Sequence, residues 1–234
     1  MKLRLLISCS ALMIALTAHA AISYSTFANG GLIPDGSAVG SSGTASTSGF
    51  LPTIADISVK LNISGGYNGD LYAYLSYGGV LVPLLNRVGV TGTGGGDAFG
   101  YGNTGFNVTL SSSGANNIHF YQNNSPSYSS GQLTGTWQPD GRAIDPQSSP
   151  SSFDAPGTVT FGSYNGLNPN GTWTLFIADL SSGGQSTLVS WELDIAAVPE
   201  PVNVALGIFA GVFLVVAAAR SPRALKFFRQ TPAH

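Results

Sequence analysis

From Ile54 to Ile63 apolar and polar positions alternate. Ile57, Val59, Leu61 and Ile63 form one row, and Asp56, Ser58, Lys60 and Asn62 the other. A period of two predicts a strand with one buried and one wet face. In the next segment Leu71, Ala73 and Leu75 oppose Tyr72, Tyr74 and Ser76. The turn Tyr77-Gly78-Gly79-Val80 and the return Val80 to Leu85 then predict a hairpin. Shorter strands are expected at Phe106–Leu110, Ile118–Phe120 and Thr158–Phe161. The clearest pair comes last. Trp173, Leu175 and Ile177 alternate with Thr172, Thr174 and Phe176, and after Ser181-Ser182-Gly183-Gly184 the run Thr187 to Ile195 returns.

No helical period of ten or more residues occurs between the two ends of the chain. Short strands punctuated by turns predict an all-β fold, a jelly-roll-like β-sandwich. Val90–Tyr101 is a Gly-rich loop and Gln122–Pro156 a polar stretch broken by Gly and Pro. Connections of such length without structure of their own are usually functional or mobile.

The two ends break the pattern. Lys2 and Arg4 precede the apolar Leu5–Leu16, and Ala18-His19-Ala20 is an A-x-A cleavage site, so a signal peptide over 1–20 is expected. Export through the Sec machinery follows. At the other end Val202 to Ala219 carries no charge. Its eighteen residues would reach roughly 27 Å as a helix, so a transmembrane helix is expected there. The tail carries Arg220, Arg223, Lys226 and Arg229 and no acid, which places it in the cytoplasm and the domain outside.

Composition sharpens this picture. The one cysteine, Cys9, lies inside the signal segment, so disulfides, thiolate metal sites and a cysteine nucleophile are excluded from the mature domain. The whole chain has a formal net charge of −2, but its basic residues sit at the two ends. Residues 21–198 hold only Lys60, Arg87 and Arg142 as bases against ten acids. An acidic domain excludes nucleic acid as a partner.

Candidate chemistry is sparse. His119, the domain's single histidine, is expected on a strand and pointing to solvent, where it serves no triad. No G-x-S-x-G, H-E-x-x-H or P-loop occurs, so no enzyme is expected. Trp173 and Trp191 are expected in the core. Tyrosines between Tyr67 and Tyr77 suit either ordinary sheet packing or a carbohydrate surface. Asp56, Asp70, Asp97 and Asp179 are candidate calcium ligands, with a purely structural role as turn caps the competing reading.

Two resemblances add to this reading. Pro199-Glu200-Pro201, the apolar run and the cluster beginning with Arg220 and Arg223 resemble the PEP-CTERM sorting signal of exported bacterial proteins. Here the tail runs on to His234, longer than usual. The resemblance implies recognition by an exosortase, and delivery to the cell surface or extracellular matrix. Asp56 to Ile63 with Tyr67-Asn68-Gly69-Asp70-Leu71, and Asn170 to Asp179 with Leu188-Val189-Ser190-Trp191-Glu192-Leu193, resemble the opening and the finish of the P domain of proprotein convertases. In that family the sandwich follows a protease domain and stabilises it.

The expected organisation is therefore a signal peptide over 1–20, a P-domain-like β-sandwich over 21–198 and a sorting signal over 199–234. The expected function is that of a non-enzymatic surface or matrix protein. A module binding calcium or extracellular polysaccharide, and a stabilising partner of a separate secreted protease, are the alternatives.

Overall fold

The computed structural model describes residues 18–24, 28–94 and 97–220. The charged and apolar parts of the expected signal peptide (Lys2 to Leu16), Gly95-Gly96 and the tail with Arg223 lie outside the described residues. Ten strands form two sheets: β1 (Ala18–Tyr24), β2 (Ser37–Thr47), β3 (Thr53–Gly65), β4 (Leu71–Tyr77), β5 (Val80–Asn86), β6 (Phe106–Ser111), β7 (Ser127–Ser129), β8 (Gln132–Trp137), β9 (Gly171–Asp179) and β10 (Ser186–Val198). One sheet runs β1-β10-β3-β6-β8-β7 and the other β2-β9-β4-β5. Apart from the hairpin β4–β5, successive strands from β1 to β6 change sheet. The last two strands sit between early ones, which is the strand order of a jelly roll. Pairing is antiparallel except where β8 joins β6 in parallel.

Alternation along the strands builds the core. Ile57, Val59, Leu61 and Ile63 of β3 face Leu71, Ala73 and Leu75 of β4 across the sandwich, and all are buried. Trp173 and Trp191, from adjacent-in-sequence strands of opposite sheets, are both buried, as expected. Trp173 stacks on Tyr77 at 4.0 Å between ring centroids and donates Nε1–H to the Pro169 carbonyl at 3.2 Å. Each tryptophan removes on the order of 200 Å² from water, an upper figure of about 5 kcal/mol at ~25 cal/mol/Å².

Four local readings need correction. Ile118–Phe120 is not a strand but opens a 3-10 segment, Ile118–Asn124, with the Asn117 side chain accepting from His119 N–H at 2.9 Å. Thr158–Phe161 is not a strand either. Phe161 begins a 3-10 turn, Phe161–Tyr164, that packs its own ring and Tyr164 into the core. Both segments are apolar runs too short for a period to distinguish strand from anchored turn. Strand β2 was not foreseen, because its buried positions are Gly43, Ala45 and Thr47. Small side chains carry little hydrophobic signal. Within the polar stretch 122–156, β7 and β8 form a further hairpin.

Strand β1 pairs with β10 in the register Ala18↔Ala197 to Tyr24↔Trp191, so Ala18 and Ala20 of the cleavage motif sit at a sheet edge. After β10, Pro199 and Glu200 lead into helix α1 (Pro201–Arg220). Its side chains Leu206, Phe209, Phe213 and Leu214 are all more than half exposed. Among the described residues no helix is long and apolar enough to cross a membrane. The expectation over 202–219 is thus met as a helix and not as a span.

Truncating the larger of the stacked pair tests the core. Trp173→Ala should cost about 3–5 kcal/mol, read as a lower denaturant midpoint with an unchanged slope.

Candidate functional site

One end of the sandwich gathers the loops 33–37, 67–70, 99–102 and 180–183 around a cleft of about 670 Å³. Asp70, itself nearly buried, lines it with Ser181, and the half-exposed Tyr67 and the exposed Phe99 form walls with Tyr101. The loops are stitched by backbone bonds: Gly69 N–H to the Tyr101 carbonyl and Asn68 N–H to the Asn103 carbonyl, each at 2.9 Å. Gly69 is required here because a Cβ would collide with the Phe99 carbonyl and the backbone of Gly100.

Asp70 and Asp179 come together because β4 begins where β9 ends. Leu71 pairs with Asp179, and Leu180 N–H donates to the Asp70 carbonyl at 2.9 Å. Asp179 points inwards at the end of the Trp173-Leu175-Ile177 row and is fully buried. Its Oδ2 accepts from the Ser186 hydroxyl at 2.8 Å, and its Oδ1 has no hydrogen-bond partner among the described residues. Burial first, then the charges of Asp70 and Asp35, push the Asp179 carboxyl up to about 6, against the lowering effects of the Ser186 hydroxyl and the Ser181 backbone N–H. Burial also raises Asp70, opposed by the Ser181 hydrogen bond and by Arg87.

The other two candidate ligands lie elsewhere. Asp97 caps its own turn, accepting from the N–H groups of Phe99 and Gly100 at 2.9 Å each, and so shapes the cleft wall. Asp56 sits on β3 beside Asp194 and Ser111 in a separate small depression. Among the described residues no three His, Cys, Asp or Glu side chains form a metal-binding group. A cation held at Asp70 and Asp179 would therefore need hydroxyl, carbonyl or water oxygens to complete its shell. Calcium accepts such a mixed oxygen shell.

His119 corrects the expectation of a solvated strand histidine, because the Ile118–Asn124 turn carries it inwards. It is fully buried, with Nδ1 2.7 Å from Asp140 Oδ2 and Nε2 3.0 Å from the Val90 carbonyl oxygen. Both nitrogens face acceptors, so no lone pair is offered to a substrate. Asp140 is the hub of this network. It also accepts from Asn86 N–H at 3.2 Å and from Arg142 Nη1 at 3.1 Å. Asp140 and Arg142 escaped the sequence reading, since Pro139-Asp140-Gly141 looks like any turn. Of the tyrosines, Tyr67 lines the cleft and Tyr77 stacks on Trp173. Tyr72 and Tyr74 lie on the outward face of their sheet, Tyr74 stacked on Phe176 at 4.8 Å. Of the residues expected to form a sorting signal, Pro199 and Glu200 join β10 to α1, Pro201 begins the helix and Arg220 ends it.

Two outcomes follow from these environments. The raised Asp179 favours the folded state when protonated, so its contribution is full below 3.8 and is lost as pH rises through about 6. The melting temperature should fall between pH 4 and pH 7 more steeply in the native chain than in Asp179→Asn. His119→Ala strips a partner from the buried Asp140 and should destabilise by about 3–5 kcal/mol in equilibrium unfolding.

No family model matches the chain, and no curated protein does. Among the solved structures that resemble it, two illustrate the likeness. One is the serine protease of Aeromonas sobria in complex with the chaperone ORF2, with 14% identity over 79% of this chain and 28% of that one at a TM-score of 0.43. The other is the serine protease of Aeromonas sobria, with 13% identity over the same shares and at the same score. The chain thus covers less than a third of those protease chains.

Proposed function

We propose that this chain is an exported, non-enzymatic surface protein whose jelly-roll body is a cation-binding module. The observation that carries the module reading is the Asp179 carboxylate, buried behind Asp70 with Oδ1 unpartnered. A buried carboxylate with one oxygen left unpartnered is costly, and a bound cation removes that cost. Calcium suits the site because oxygen donors of Asp70, Asp179 and Ser181 are hard ligands, and because the domain is acidic overall. Bound, the ion would supply positive charge and draw the β4 start and the β9 end together. Ser186 would orient Asp179, and Arg87, bonded to the Gly69 and Ala98 carbonyls, would keep the loop fixed.

Export is supported by the basic and apolar residues before Ala20 and by the A-x-A motif. Attachment at the membrane is supported by the exposed apolar face of α1 and by the cationic residues after it. The Pro199-Glu200-Pro201 triplet between the sandwich and α1 supports processing by an exosortase-type enzyme. The absence of a free general base at His119 supports a binding role over catalysis. A stabilising role beside a separate secreted protease, implied by the P-domain resemblance, would require a stable complex on co-purification from the native source.

Calcium should raise the melting temperature of the full chain at pH 7, and chelator should reverse the gain. Asp179→Asn should melt higher than the native chain without calcium and gain nothing from it. An equal calcium response in both chains would overturn the site. Intact mass of the native protein should show a chain starting at Ala21 and ending near Pro199, whereas a chain ending at His234 would overturn the processing reading.

A further inference from the structure

A second cleft, of about 410 Å³, opens away from the Asp70–Asp179 site. It lies between the Asn117-capped turn, the segment after β8 and the segment around Asp154. Phe120 forms its rim, and on the other side of Phe120 lies a smaller cleft of about 300 Å³ bordered by Thr91, Thr93 and Asn123. Polar side chains are set among apolar surface from Phe120 and Pro156, and what distinguishes them is the set of atoms left over after the fold has used its own hydrogen bonds.

Arg142 is nearly buried. Its Nε donates to the Phe153 carbonyl at 2.9 Å and its Nη1 to Asp140 Oδ1 at 3.1 Å, while Nη2 makes no hydrogen bond among the described residues. Its guanidinium is also stacked 5.3 Å from the centre of the Phe120 ring, so the free nitrogen is held in place. Asp154 uses Oδ1 for the Thr91 hydroxyl at 2.6 Å and Gly92 N–H at 2.9 Å, leaving Oδ2. The Thr91 hydroxyl first, then the Gly92 N–H, the Thr93 N–H and the Arg142 charge hold its carboxyl below the usual range, so it is an acceptor at neutral pH. Gln138 spends its amide N–H on the Gly114 carbonyl and keeps Oε1, and Asn124 spends its own on the Phe120 carbonyl and keeps Oδ1. The Asn116 side chain is exposed and unengaged among the described residues.

The cleft thus offers fixed donors and fixed acceptors around one aromatic ring. One guanidinium is balanced by one carboxylate. An anionic polymer finds no surplus positive charge, and the apolar surface is broken up by polar groups that a lipid tail would leave unpaired. A ligand carrying many hydroxyl groups, each both donor and acceptor, can satisfy every leftover atom. We propose that this cleft and its neighbour across Phe120 bind a neutral, hydroxyl-rich chain, a polysaccharide of the extracellular surroundings. The proposal deepens the reading of the sandwich as an exterior binding module and uses neither Asp70 nor Asp179, although the smaller cleft shares Tyr101 with theirs.

The test is calorimetric titration of the full chain with hexaoses of β-1,4-, α-1,4- and β-1,3-linked glucose and of β-1,4-linked mannose, with alginate as the anionic comparison. At least one neutral hexaose should bind saturably in the micromolar to millimolar range. Asn116→Ala removes an exposed side chain that the fold does not use, so melting should be unchanged while binding weakens about two- to tenfold. Asn116→Trp should block the cleft and abolish binding. Asp179→Asn should bind the sugar as the native chain does, which separates this outcome from failure of the calcium site. No saturable binding of any neutral hexaose, tighter binding of alginate, or undiminished binding by Asn116→Trp would each overturn the proposal.

Discussion

The structure depends on the last two strands being central. β9 lies between β2 and β4, and β10 between β1 and β3, so neither sheet is complete until the C-terminal part of the domain is in place. Trp173 and Trp191 are carried by these same strands into the space between the sheets. Core filling and sheet closure are therefore one event, and most pairings are between residues far apart in sequence. Such topologies pay loop-closure entropy before they gain contacts, which favours slow, cooperative folding.

With the sheets closed, the ends of the sandwich are shaped by buried polar groups of two kinds. Asp140 is well supplied with donors, from His119, Asn86 and Arg142, and it ties the end of β5 to the segments after β6 and β8. Asp179 is not. It ends a strand whose inward row is otherwise apolar, and one of its oxygens faces no donor. A satisfied network specifies a unique arrangement, whereas an incompletely satisfied carboxylate stores a preference for a proton or a cation. The same chemical group is a strut in one place and a candidate binding group in the other, and the difference lies in the number of donors around it.

Strand periods were legible wherever large side chains alternate, as in β3, β4, β9 and β10, and so were the buried tryptophans. Legibility failed where the side chains are small, as in β2, or where three apolar residues in a row fit a strand and an anchored turn alike, as at Ile118–Phe120. The candidate site was half legible. Asp70 and Asp179 stand at recognisable strand ends, but Asp56 and Asp97 share their local appearance and lie elsewhere. Arg142 and Asp154, whose leftover atoms face the second cleft, carry no sequence signal because their roles are defined by partners distant in sequence.

The sequence by itself determined the class of fold, the inward row of each large strand, the lack of disulfides and the apolar character of both ends. All of these are properties of local pattern and composition. Only the tertiary structure decided that His119 is internal and that one oxygen of Asp179 lacks a hydrogen-bond partner. It alone brought Asp70 to Asp179 while Asp97 caps a turn, and set the cleavage motif in register with β10. These outcomes depend on which backbone and side-chain groups meet across the sandwich, and a jelly roll brings them together from opposite ends of the chain.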